Sequence, residues 1–145
     1  MAGTSSGGPS LDPLRMAARG EAQEGLVDAR SLEAVADALA PGDAPVDVAW
    51  RIEGGRSAEG RPTLAVHVEG AVPLVCQRCL APFDWPLAQT TRVLLARDEA
   101  ELAALDGEAD DEVIDGSARI AAHTLVGDEL LLTLPFAPMH PGACP

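Results

Sequence analysis

Ala71-Val72-Pro73-Leu74-Val75-Cys76-Gln77-Arg78-Cys79-Leu80-Ala81-Pro82-Phe83 is the stretch whose reading decides the fold. An extended apolar run over 71–76 enters a Cys-Gln-Arg-Cys segment, and a longer extended run over 83–95 leaves it. Two strands with so short a connection form an antiparallel hairpin, which puts the cysteines at its tip. Pro73 and Pro86 lack the amide hydrogen that a ladder needs, so both runs are expected at edge or bulged positions.

Upstream of the hairpin, Val46, Val48, Trp50 and Ile52 alternate with Asp47, Ala49, Arg51 and Glu53, the period of a half-buried strand. Gly54-Gly55 opens a turn-rich connection. Leu64, Val66 and Val68 then share one strand face, His67 and Glu69 take the other, and Gly70 is expected to end the strand. Further back, Leu32, Val35, Ala36 and Leu39 fall at i, i+3, i+4 and i+7, which predicts a helix over 32–40. Asp28 or Ser31 caps it and Pro41-Gly42 stops it. Residues 11–15 read as a short ordered segment, and residues 1–10, rich in Gly and Ser, as disordered.

Downstream, 98–105 reads as a short acidic helix, 107–111 as a polar loop and 112–114 as a small extra strand. A longer helix runs from a cap at Asp115 or Ser117 to about Leu132, although Gly127 weakens it by about 1 kcal/mol relative to alanine. Pro135 and Pro138 leave 136–145 extended. The whole is an α+β fold in a single domain over 11–145. It has an antiparallel β-sheet of four to five strands, one or two covering helices and a C-terminal extended tail.

Of the 145 residues, 47% are apolar, enough for one core, and with two Phe, two Trp and no Tyr that core must be mostly Leu, Val and Ala. Nothing in residues 1–10 reads as a secretory leader, and no apolar run approaches the ~18 residues that span a bilayer. An odd count of three cysteines argues against a disulfide framework and for a reducing compartment. A cytoplasmic location without membrane contact is the expectation. The net charge of −13 is concentrated in residues 98–129, where eleven acids face only Arg119. That block is either a solvated surface or a face for basic partners such as ribosomal proteins. Overall charge opposes nonspecific nucleic-acid binding, so direct RNA contact would use the arginine-bearing middle. There Arg78, Arg92 and Arg97 can meet phosphates, with Trp85 or Phe83 either stacking a base or packing in the core.

Cys76 and Cys79 combine with His140 and Cys144 into a C-x2-C … H-x3-C set, the number and type of donors that close a tetrahedral zinc site. Structural zinc there would tie the tail to mid-chain across about sixty residues. Simple thiols beside a frayed tail are the plainer reading. A thiol redox protein using Cys76 and Cys79 needs the first cysteine at a helix N-terminus. Here the segment before Cys76 is β-like, and Pro82 follows three residues after Cys79. Against an enzyme, His67 and His123 are solitary, and Asp128 and Glu129 diverge by about 100° on a helix, more a solvated face than an acid/base couple. No P-loop, nucleophile elbow or dinucleotide fingerprint is present. No catalytic residue and no small-molecule substrate are expected.

Taken in series, these motifs resemble the large ribosomal RNA subunit accumulation protein family, YceD. The resemblance is carried by Leu11-Asp12-Pro13-Leu14-Arg15, by Val75-Cys76-Gln77-Arg78-Cys79-Leu80-Ala81-Pro82-Phe83, by Val126-Gly127-Asp128-Glu129-Leu130 running on to Leu134-Pro135, and by Pro138-Met139-His140 with Cys144. It implies a non-enzymatic role in ribosome biogenesis, supporting accumulation of 23S ribosomal RNA. The implied partners are ribosomal RNA or a pre-ribosomal particle, with a basic ribosomal protein held by an acidic adaptor as the alternative. Many relatives carry a basic tail beyond the last cysteine, whereas this sequence stops at Pro145, so contacts of such a tail are not implied here. The cysteine-rich ends also vary among relatives, and metal loading does not follow from the resemblance.

Overall fold

Alternating side chains bury one face of a sheet, and three consecutive strands show how. In the computed structural model, which describes residues 8–106 and 112–145, β3 (Asp47–Arg56), β4 (Pro62–Val75) and β5 (Pro82–Ala96) form an antiparallel meander. Val48, Trp50 and Ile52 of β3 join Leu64, Val66 and Val68 of β4 in the core. β2 (Ala22–Asp28) pairs antiparallel with β3, and β6 (Glu112–Asp115) pairs with the far end of β5, in the order β2-β3-β4-β5-β6. The α+β expectation holds, with one difference: β6 runs parallel to β5. Helix α3 (Glu99–Asp106) lies between them in sequence, and a parallel neighbour requires such a crossover. The predicted loop at 107–111 lies outside the described residues, as do residues 1–7.

Helices cover the inner face. α1 (Pro13–Arg19) starts from an Asp12 cap that accepts from the Arg15 amide at 3.4 Å, has Pro13 in its first turn, and stops at Gly20 in the left-handed region. It buries Met16 and crosses β3 at Gly54, where a Cβ would run into the Met16 carbonyl and the Ala17 amide. That close approach explains why Gly54-Gly55 stays inside β3 and does not open a turn, as the sequence suggests. α4 (Ala122–Thr133) buries Leu125, Val126 and Leu130, and Gly127 faces α2 (Glu33–Ala36), where an added Cβ would lie 3.6 Å from the Ala34 side chain. A two-stranded ribbon of β1 (Ser10–Leu11) and β7 (Ile120–Ala121) fastens the chain start beside α4.

Several predicted boundaries move. Gly70 does not end a strand: at φ 149° it takes a backbone shape open to glycine, and β4 continues through it. The helix predicted over 32–40 shortens to α2 after a single 3-10 turn at Ala29–Ser31, yet Leu32, Val35 and Leu39 are buried as the stripe requires. The Asp28 carboxylate caps that turn at the Arg30 amide and also accepts from the Val46 amide, each at 3.0 Å. Neither Asp115 nor Ser117 caps α4, which begins after β7; the Asp115 carboxylate instead takes the Ser117 amide and hydroxyl. Both prolines sit within the β4–β5 ladder, opposite Asp84 and Ala71, where the other edge of each strand has no neighbour. β3 stops at the Val48–Gly70 pair, short of Pro73, and β6 reaches only Val93–Ala96, far from Pro86.

Candidate metal centre at the hairpin tip

Beyond Gly70 the β4–β5 hairpin projects past the rest of the sheet, and its turn is the Cys76–Cys79 segment. The turn is a tight knuckle. The Cys76 amide donates to the Ala81 carbonyl at 2.9 Å, the Leu80 amide to the Cys76 carbonyl at 2.8 Å, and the Arg78 amide to Cys76 Sγ at 3.4 Å. Closing it forces Leu80 to φ 64°, the only non-glycine at positive φ among the described residues.

The tail comes back to this knuckle. The Gln77 amide donates to the Pro138 carbonyl at 2.8 Å, and the Arg78 guanidinium donates to the carbonyls of His140 (3.3 Å) and Gly142 (3.0 Å). The His140 ring lies against Phe83 with centroids 4.6 Å apart. Cys76, Cys79, His140 and Cys144 thereby bring one donor atom each to within 4.8 Å of one another. The Cys76 Sγ to Cys144 Sγ distance is 3.7 Å, and Cys79 Sγ to His140 Nδ1 is 3.6 Å.

Those lengths test whether a metal fits. With Zn–S near 2.3 Å and Zn–N near 2.05 Å, tetrahedral edges are about 3.8 Å between sulfurs and about 3.6 Å from sulfur to nitrogen. The Cys76–Cys144 and Cys79–His140 edges match, and the other donor pairs lie within 4.8 Å. The protonation pattern agrees with a ligand role. Burial pushes the Cys76 thiol up, but the amides of Cys79, His140 and Arg78, with the His140 side chain, outweigh it and bring the pKa down to about 5. Burial, then contact with the sulfurs of Cys79 and Cys76, drives Cys144 the other way, to about 11. A thiolate crowding further sulfurs is a place where a divalent cation relieves repulsion.

The residues read as RNA contacts are not gathered into one place. Arg78 is at the tip, occupied with the tail carbonyls. Arg97 lies just past the other end of β5, on the order of 50 Å along the strand, with its amide and guanidinium on the Glu101 carboxylate. Trp85 is half-buried on the core side, edge-on to Phe83 at 6.3 Å. Arg92, exposed, pairs in register with Ala65 on the opposite face.

One residue that pattern reading assigns to a solvated face is instead interior. Glu129 is 1% exposed, and neither carboxylate oxygen has a hydrogen-bond partner among the described residues. Burial, followed by the Glu112 and Asp128 carboxylates, pushes its pKa up to about 7, against a small pull from Thr91. Asp128 beside it is exposed, as expected. The i, i+4 spacing from Leu125 to Glu129 was the available signal, since it puts Glu129 near the apolar stripe.

A β-hairpin knuckle with four clustered donor side chains, at one end of a helix-covered sheet, is an arrangement compatible with a metal ion. The chain belongs to the large ribosomal RNA subunit accumulation protein YceD family, whose profile matches residues 64–145. That span begins in β4 and takes in the hairpin, α4 and the tail. No solved structure matches the chain. Among the described residues, no helix is long and apolar enough to cross a membrane.

Proposed function

We propose that the protein is a non-enzymatic factor of ribosome biogenesis in the cytoplasm, supporting accumulation of 23S ribosomal RNA by binding RNA or a ribosomal protein. The observation that carries this reading is the family match over residues 64–145. In this reading Cys76, Cys79, His140 and Cys144 hold a structural zinc ion. When bound, zinc supplies a fixed tetrahedral crosslink, and four protein donors leave no position for a reactive water. The chain's own groups do the rest. The knuckle amides orient Cys76, Arg78 holds the tail carbonyls, and Phe83 backs the His140 ring, so that tip and tail form one rigid surface.

RNA contact is assigned to Arg78, Arg92, Arg97 and Trp85, with phosphates meeting the guanidinium groups. Because these residues are dispersed, the contact would be with an extended or structured RNA and not with a single nucleotide pocket. The second reading, an acidic adaptor for a basic ribosomal protein, is favoured by the eleven acids of residues 98–129. Pulldown of the tagged protein from lysate, with and without RNase, separates the two. RNA binding predicts large-subunit rRNA recovery that RNase abolishes. Adaptor binding predicts a basic ribosomal protein retained after RNase and released by salt, and recovery of neither overturns the proposal.

A further inference from the structure

The three sulfurs of the tip form an assembly that two electrons can rearrange. Cys76 is buried and pinned by the knuckle, Cys79 is exposed, and Cys144 rides on the tail next to Gly142, which has open space around it at φ 76°. Cys76 Sγ and Cys144 Sγ are 3.7 Å apart, so a bond near 2.05 Å needs the tail sulfur to move by about 1.7 Å. Cys144, less buried than Cys76 and one residue from the chain end, is the partner placed to make that move.

We propose that the cluster is an oxidative modification site for hydroperoxides whose end product is a Cys76–Cys144 disulfide. The exposed Cys79 sulfur attacks the terminal oxygen of the hydroperoxide, giving a Cys79 sulfenic acid, and the thiol proton leaves with the alcohol. Cys144 displaces the hydroxyl as water and forms a Cys79–Cys144 disulfide; Cys76 Sγ, 3.7 Å from Cys144 Sγ, then attacks the Cys144 sulfur and frees Cys79 as a thiol. In sum, two thiols and one hydroperoxide give one disulfide, one alcohol and one water.

The consequence follows from the odd number of cysteines. After oxidation only Cys79 and His140 remain as donors, too few for a closed tetrahedral shell, so a resident metal is expelled. The tail, however, stays on the hairpin, now by a covalent bond. Oxidation therefore exchanges one clasp for another, keeps the tip and tail together, and exposes a single thiol. The metal-release step rests on the zinc reading above; the disulfide does not.

The test treats metal-free and zinc-loaded full-length protein with hydrogen peroxide, followed by non-reducing peptide mapping and zinc release with a chromogenic chelator. Expected are a mass loss of about 2 Da, a Cys76–Cys144 linked peptide as the main product, Cys79 as the thiol that reacts with iodoacetamide, and one zinc released per disulfide. Cys79→Ser should form the same link about tenfold more slowly. A dominant Cys76–Cys79 link, sulfinic acid at Cys79, or disulfide-linked dimers would overturn the proposal, and an unchanged rate in Cys79→Ser would overturn the order of steps. A chain that takes up no zinc fails only the metal arm, and the map of the metal-free protein still decides the disulfide.

Discussion

Replacing Glu129 by glutamine should make the protein more stable in neutral and alkaline solution and leave it nearly unchanged in acid. Glu129 lies on the buried face of α4 with its carboxylate unpartnered among the described residues, and Glu112 and Asp128 add negative charge to its surroundings. Its pKa rises from the ordinary 4.5 to about 7 in the folded protein. The folded state thus binds a proton more tightly than the unfolded chain. The stability from this group is complete below pH 4.5, falls as pH rises through the window to about 7, and is gone above it. At 1.36 kcal/mol per unit the full shift is worth about 3 kcal/mol, and allowance for solvent screening reduces it to about 2 kcal/mol. Glutamine carries no charge at any pH, so Glu129→Gln should gain about 2 kcal/mol at pH 8, a rise in Tm of about 6 °C. Near pH 4.5 the two proteins should melt together. Thermal melts of both at half-unit pH steps from 4.5 to 8.5 measure the difference, in which carboxylates distant from Glu129 cancel. A difference that stays constant with pH, or a variant less stable at pH 8, would refute the reasoning.

Two backbone predictions concern α1 and the knuckle. Gly54→Ala puts a methyl group into the Met16 carbonyl and Ala17 amide and should destabilise by about 3 kcal/mol, while Gly55→Ala, whose nearest neighbour is Thr63 Oγ1 at 3.5 Å, should stay within about 1 kcal/mol; urea titration of the pair checks this. Leu80→Gly removes left-handed strain of about 1–2 kcal/mol and loses little burial, since Leu80 is 72% exposed. Glycine's extra unfolded-state entropy offsets part of that, leaving a net gain of about 0.5–1 kcal/mol in the same titration; a net loss would mean that the Leu80 side chain is held by contacts at the tip.

The meander and its tip were legible in the sequence because period-two alternation and a four-residue turn are local signals. The four metal-donor candidates were legible for a different reason: soft ligands are rare here, and all three cysteines fall in two clusters. β2 was not legible. Ala22–Asp28 has only Leu26 and Val27 as large apolar residues, and its strand form comes from backbone pairing along β3. α1 carried its signals, Asp12-Pro13 and Gly20, but its stability comes from packing Met16 across Gly54, which no local window contains. The parallel placement of β6 and the burial of Glu129 are likewise tertiary outcomes. Spacing alone also could not say that Arg78 would turn back to the tail carbonyls.

The central claim is that the hairpin tip and the tail meet through a metal clasp. Zinc content together with zinc-edge X-ray absorption on reduced protein, expressed with ample zinc, tests it most directly. The account predicts about one zinc per chain with three sulfur neighbours near 2.3 Å and one nitrogen near 2.0 Å. A chain that binds no zinc, or a spectrum of oxygen-rich coordination without sulfur, would contradict it.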